Sequence, residues 1–441
     1  MSQVAERVNN VSPHAARYIA DYHGAASSSQ PAWLTNLRES AIASFERLGF
    51  PTTRLEQWRF TSVTPISEKP FALATGGLAS ADAGLTASLS GGAVVAVCVN
   101  GRFAPALSTI DRLPKGVHLM SLDAALSSNP ALVEPYLARL GTPGTQAFTA
   151  LNTAFLRDGV VISIAPHAIV EAPIEVIFAS VAEGKPTVSH PRLLVVAGEA
   201  SQAQILERYV GHGVTFSNAV TEVWLGAGAV VDHYKVQEKP ADAFHIGSMY
   251  LHCARNGNFS SHSITFGGSL VRNDVVAVLD GEGIDCTLNG LYVGRGKQLI
   301  DNHTTIDHAQ PHCGSHEIYK GILGEQSHGV FNGKIVVRPD AQKTDAKQTN
   351  KALLLSDEAQ INTKPELEIF ANDVKCTHGA AIGQLDDDAI FYLRTRGLGY
   401  DESRALLIHA FAEDILTRIK IVPLRGHLET ALTARLPVTP A

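Results

Sequence analysis

Between residues 30 and 50, apolar side chains recur at Trp33, Leu34, Leu37, Ile42, Phe45 and Leu48. This is the spacing of one helix face, and Gly49 follows where a left-handed residue stops a helix. An amphipathic helix is therefore predicted over 30–50. A different rhythm begins at Ala93-Val-Val-Ala-Val-Cys-Val99, a strand-forming run closed by Asn100-Gly101, the dipeptide of a tight hairpin. The first third of the chain reads as a largely helical N-terminal α/β region.

From about Gly159 to Gly383 short runs of Val, Ile, Leu and Thr alternate with turn residues. The punctuation falls at Gly198-Glu199, Gly226-Ala-Gly228, Asn256-Gly-Asn258, Asp280-Gly-Glu-Gly283, Gly324-Glu325 and Asp357-Glu358, roughly 25 to 33 residues apart except for the longer step before Gly324. That period suits the coils of a parallel β-helix, where each coil buries its inner face only by stacking on its neighbours. Within the strands, as in Ser201–Tyr209 and Gly333–Arg338, inward and outward residues alternate, so one face is expected in the core and the other wet. Two β-sandwiches would need tighter turns, every 8 to 12 residues or so, and these are missing.

Helical signals return after Gly383. Asp386-Asp-Asp388 opens a helix over Ala389–Arg396, and Gly397 closes it. Asp401-Glu402 opens a second, with Leu407, Ile408, Phe411, Ile415, Leu416 and Ile419 as its stripe and Pro423 as its end; a short third is expected over His427–Leu436. The fold expected is mainly β: an N-terminal helical and α/β region over 1–145, a parallel β-helix core over 146–383 and a C-terminal helical domain over 384–441.

Composition narrows the function classes. With 441 residues and 45% hydrophobic content the chain buries a large core, while 18% charged residues and a net charge of −7 give no field for nucleic acid or an anionic membrane. The N-terminal decapeptide lacks the marks of a signal or transit peptide, and apolar runs such as Ala93–Val99 are too short to cross about 30 Å of hydrocarbon. A cytoplasmic location is expected. Five cysteines, an odd number at wide spacing with no Cys-x-x-Cys pair, point to free thiols rather than disulfides or a zinc ribbon.

Phosphate-loop and hydrolase text is missing. The nearest Walker-like stretch, Gly290-Leu-Tyr-Val-Gly-Arg-Gly-Lys297, has its first glycine one place early and Gln298 where Ser or Thr would meet magnesium, and reads as a β-turn. Ten of the 18 histidines lie between His212 and His328. His308, His312 and His316 flank Cys313, but strand residues four apart lie about 13 Å from one another, so exposed β-helix histidines are the simpler reading. Cys376-Thr-His378 differs, because strand residues two apart share a face within about 7 Å. Thiolate and imidazole are both attested ligands of iron–sulfur clusters. Two ligands hold no cluster, so a functional pair would need further ligands from another chain; otherwise the pair is structural.

The text Asp373-Val-Lys-Cys376-Thr-His378-Gly-Ala-Ala-Ile-Gly383, continued by Ala389-Ile-Phe-Tyr-Leu-Arg-Thr-Arg-Gly397, resembles the C-terminal signature of the SufD branch of the SufB/SufD family of iron–sulfur cluster assembly scaffold proteins. Similar text recurs at Arg54–Thr61, Val99-Asn-Gly-Arg102, Asp285–Tyr292, Asp301–Thr304, Ile306–Ala309 and Tyr319–Ile322, so the resemblance covers essentially the whole chain. The SufB branch carries Glu-His-Glu where this chain has Cys-x-His. The resemblance implies a right-handed parallel β-helix and a non-catalytic subunit of a SufBCD complex. It implies pairing with the SufB paralogue through the end of the β-helix, with the C-terminal helices docking the ABC-type ATPase SufC. It also implies that iron or a nascent cluster, transient and shared with SufB, meets His378, with Cys376 an accessory ligand. A homodimer of the isolated chain is compatible with this. The rival expectations are a secreted β-helix polysaccharide enzyme, for which the chain lacks a signal peptide and clustered carboxylates, and a purely structural homodimer.

Overall fold

The computed structural model describes residues 13–24, 31–74, 84–91, 94–111 and 113–436. The N-terminal decapeptide, the expected helix start at Gln30 and the expected strand start at Ala93 lie outside them. Over Val160–Gly383 the chain winds into a β-solenoid of about eight coils. Each coil gives one strand to an 11-stranded sheet and the next to a 10-stranded sheet. The solenoid pairings are parallel, and the step between stacked partners runs from 26 residues (Phe244 to Leu270) to 33 (Val160 to Leu193), the period of the turn residues. Inward side chains of both sheets meet in one apolar core, in which Val231, Phe259 and Cys286 stack in register on successive coils.

Alternation of buried and half-buried residues holds in the strand His328–Val337. It fails in Ile174–Val181 and Thr215–Leu225, which are almost wholly buried. The outer faces there are covered rather than wet. On the 10-stranded sheet, outward Leu206, Tyr234, Val236, Ile264, Leu291, Val293 and Ile322 pack against Ile408, Ile415, Leu424, Leu428 and Leu432 of the C-terminal helices. Burial of such side chains contributes roughly 1.5–3 kcal/mol each, which is what holds helices to sheet.

Those helices are Asp387–Thr395, Tyr400–Leu416 and Val422–Thr433. Asp386 caps the first, accepting from the backbone N–H of Asp388 (2.9 Å) and Ala389 (3.4 Å), and Gly397 follows it at φ 95°. Pro423 does not end the second helix. It sits in the first turn of the third, where its missing N–H costs nothing, so that helix begins five residues before the expected His427.

The N-terminal helices Pro13–Gly24 and Ala32–Leu48 pack on the outer face of the 11-stranded sheet, and Gly49 stops the second at φ 62°. The hairpin forms as expected, with Asn100 and Gly101 both at positive φ. Its strand Val94–Val99 pairs in parallel with Ile174–Val181 and so extends the solenoid's own sheet. Three buried outward carboxylates tie the N-terminal region down, each with a buried arginine. Glu175, paired with Arg208, accepts from Ser88 Oγ (2.6 Å) and the N–H of Ser90 (3.0 Å). Glu222, paired with Arg192, accepts from the N–H groups of Ala138 (2.7 Å) and Leu140 (3.1 Å). Asp301, 2.9 Å from Arg272, accepts from Thr61 Oγ at 2.6 Å.

The histidines are not all exposed. His233, His245, His262 and His308 are buried inside or between coils. His233 meets Ser261 Oγ of the next coil and Glu207 Oε2 of the previous one at 3.0 Å each, and His308 meets Ser315 Oγ at 2.9 Å across the turn that follows its strand.

Candidate functional site at the terminal coil

Lys375–Gly383 is the last strand of the 10-stranded sheet. One edge pairs with Asp345–Leu354; the other has no strand beside it among the described residues. Register stacks Cys376 on Ala346, His378 on Gln348 and Ile382 on Ala352. Ala346, Gln348 and Ala352 are buried inward positions, so Cys376 and His378 continue the interior columns of the solenoid. No ninth coil follows among the described residues, and the same inward orientation that buries their predecessors leaves His378 exposed and Cys376 half-buried.

Cys376 rests against the apolar group formed by Ile335, Val337, Ala341, Ala346 and Ala371. That burial pushes its thiol up, against a lowering contribution from the Ala346 backbone, so the neutral thiol is favoured. Lys375 alternates to the opposite face and gives the thiol no support. His378 is open to solvent.

Beneath His378 lies a polar ladder. Gln348 Nε2 donates to Glu317 Oε2 at 2.7 Å, and burial raises the Glu317 carboxyl to about 7. Gly333 on the facing sheet leaves room for the amide, since a Cβ there would lie 2.3 Å from Gln348 Nε2. Neither Glu317 nor Gln348 is singled out by the sequence pattern alone. Counting back one and two coils from His378, by 30 and 31 residues, arrives at both.

His308, His312 and His316 do not converge: His308 points inward, His312 sits in a turn at φ 60°, and His316 faces outward on the other sheet. Among the described residues no three His, Cys, Asp or Glu side chains come together as a metal site. Gly294-Arg-Gly-Lys297 is a turn between two solenoid strands, with Gly296 at φ 57°.

Two apolar surfaces flank the terminal coil. Ile369, Phe370 and Ile382 are exposed at its end, Phe370 by 65%. On the C-terminal helices Phe391, Tyr392, Tyr400 and Leu406 are all about half exposed or more. Arg396 lies 5.1 Å from the Tyr392 ring centroid and Arg404 lies 5.6 Å from that of Tyr400. Exposed aromatics interleaved with arginine are the composition of protein interfaces. Among the described residues no helix is long and apolar enough to cross a membrane.

Comparison with known proteins agrees with this architecture. Residues 178–411 match the family described as SUF system FeS cluster assembly, SufBD core domain, and residues 14–176 match the SufBD protein N-terminal region. An iron–sulfur cluster assembly SufBD family protein of Synechocystis is 33% identical over 422 residues, 93% of this chain and 92% of that protein. The iron–sulfur cluster assembly protein SufD of Escherichia coli is 28% identical over 395 residues, covering 89% and 90%. SufD of Bacillus subtilis is 25% identical over 431 residues, covering 92% and 95%.

Proposed function

The chain belongs to the SufBD family of iron–sulfur cluster assembly proteins, and on that premise we propose that it is a non-catalytic scaffold subunit of a SufBCD complex, working in the cytoplasm. The terminal coil pairs with the SufB paralogue and presents His378 there as one ligand of iron or a nascent cluster. Cys376 is an accessory ligand, and the remaining ligands come from SufB. The observation that carries this reading is the terminal strand: one backbone edge with no strand beside it among the described residues, a solvent-exposed imidazole beside a half-buried thiol, and exposed apolar side chains around them.

A free strand edge is a template for pairing with another chain, and the solenoid is a rigid support that fixes where the imidazole points. Pairing of two copies through the same edge accounts for a homodimer of the isolated chain. The helical domain over 384–441 docks the ATPase SufC, with Phe391, Tyr392, Tyr400 and Leu406 as the contact surface. ATP binding there would shift the two solenoids against one another and open the shared interface to iron. This subunit contributes iron acquisition and a ligand, not turnover of its own.

The complex is tested by pulling the tagged chain from its native cell. The paralogue and the ATPase are expected to copurify with it, and recovery of the chain alone under gentle conditions contradicts the scaffold reading.

A further inference from the structure

Near the first coils, far along the chain from the terminal strand, lies a recess of about 40 Å³ between the Asn100-Gly101 hairpin, the segment after helix Ala147–Ala154 and the strand Thr187–Ser189. A water needs about 10–15 Å³ of such space, so the recess takes a few waters or one small polyatomic ion. Its lining includes Arg102, Phe155, Arg157, Asp158, Ser189 and His190. Arg102 belongs to the Val99-Asn-Gly-Arg102 text, which the terminal coil leaves without a role.

The recess is rich in donors that have no partner among the described residues. His190 is 7% exposed and stacks on Phe155, ring centroids 4.9 Å apart and 9° from parallel. Asn218 Nδ2 donates to Phe148 O (2.8 Å) and lies 3.2 Å from His190 Nδ1. Nδ1 therefore accepts, and the imidazole hydrogen sits on Nε2. Among the described residues that Nε2 is buried without a partner, as are Ser189 Oγ and Arg157 Nη2. Burial holds His190 down to about 3, so it donates while uncharged.

Arg102 stands close enough to Arg157 to depress its ionisation further, beyond the effect of burial. No carboxylate among the described residues pairs with either guanidinium. Asp158 does not neutralise them, because its oxygens are turned to the backbone N–H groups of Phe103 (2.9 Å) and Gly159 (2.8 Å). The hairpin lies beside His190: a Cβ on Gly101, which sits at φ 79°, would be in van der Waals contact with the His190 backbone, 3.5 Å from its N. A buried guanidinium nitrogen without an acceptor is costly, and two like charges beside two neutral donors form a hole for negative charge.

We propose that this recess binds a small tetrahedral oxyanion of the phosphate or sulfate class, held by Arg102, Arg157, Ser189 and His190. Guanidinium and phosphate match in charge and in fork geometry, and the two neutral donors complete the shell.

The test uses the full chain and inorganic phosphate, followed by phosphorus NMR. The wild-type protein is expected to broaden the phosphate line saturably, sulfate to compete, and chloride at equal ionic strength to have no effect. Arg157→Gln is expected to weaken binding at least about tenfold, with Arg157→Lys keeping part of it. Should Arg157→Gln fold poorly, Ser189→Ala removes one neutral donor and is expected to weaken binding a few-fold. Competition by glycerol phosphate as strong as by phosphate itself assigns the site to the phosphoryl group of an organic phosphate, and failure to compete assigns it to the free ion. Absence of broadening with wild-type protein, or broadening unchanged in folded Arg157→Gln, overturns the proposal.

Discussion

Of the five thiols four are buried, and Cys376 alone is half-exposed. One equivalent of a thiol reagent is therefore expected to react with the native chain and five with the unfolded one, and Cys376→Ser should remove the native reaction. Burial raises the Cys376 thiol, so the native rate should climb as pH rises through the alkaline range. Two or more fast native thiols would contradict the packing described. Glu317 makes a second prediction. Its folded-state carboxyl is raised from 4.5 to about 7, so the folded protein holds this proton more tightly than the unfolded chain. Stability is then lost as pH rises from about 4.5 to 7, by about 3 kcal/mol once the proton is gone. Glu317→Gln should melt above wild type at pH 8 and lose that advantage at pH 4.5. Equal melting differences at both pH values would show that Glu317 is not held protonated. At this scale the sequence marks Cys376 and His378 as same-face neighbours, because a period of two is a local property. It does not mark Gln348 and Glu317, whose proximity to His378 depends on coil length and so on the whole register.

Among elements, the N-terminal region is pinned by arginine–carboxylate pairs as well as by the sheet it shares with the solenoid. Glu222→Ala leaves Arg192 buried with an uncompensated charge and frees the backbone N–H groups of Ala138 and Leu140. A loss of about 3–5 kcal/mol is expected in urea unfolding, and a loss below about 1 kcal/mol would show that the pair is not the anchor. The helix Ala32–Leu48 with its Gly49 stop, the Asn100-Gly101 hairpin and the Asp386 cap are legible in the sequence because each is written in a few adjacent residues, and the coil period because its turn residues recur. The covers are not. The buried outer faces of Ile174–Val181 and Thr215–Leu225 depend on segments distant in the chain, and alternation alone assigns those faces to water. Pro423 misleads for a local reason: one residue type serves both after a helix and in the first turn of the next.

For the whole molecule, the proposed function assigns the two exposed surfaces at the end of the solenoid to separate partners. The aromatic patch on the C-terminal helices is solvent-exposed, so the double variant Phe391→Ser, Tyr400→Ser should change stability by no more than about 0.5 kcal/mol per site while abolishing copurification of the ATPase. Retention of the ATPase by the folded double variant would move the docking surface elsewhere. The terminal coil carries the central claim, that this chain supplies His378 as one ligand of a shared iron or cluster site and Cys376 only as an accessory. The most direct measurement is visible absorption with iron and sulfide content of the reconstituted three-subunit complex, compared among wild type, His378→Ala and Cys376→Ser. His378→Ala is predicted to lower bound iron and cluster about 10- to 100-fold with the complex intact, and Cys376→Ser to lower them far less. Wild-type iron and cluster content in an intact His378→Ala complex would contradict the account.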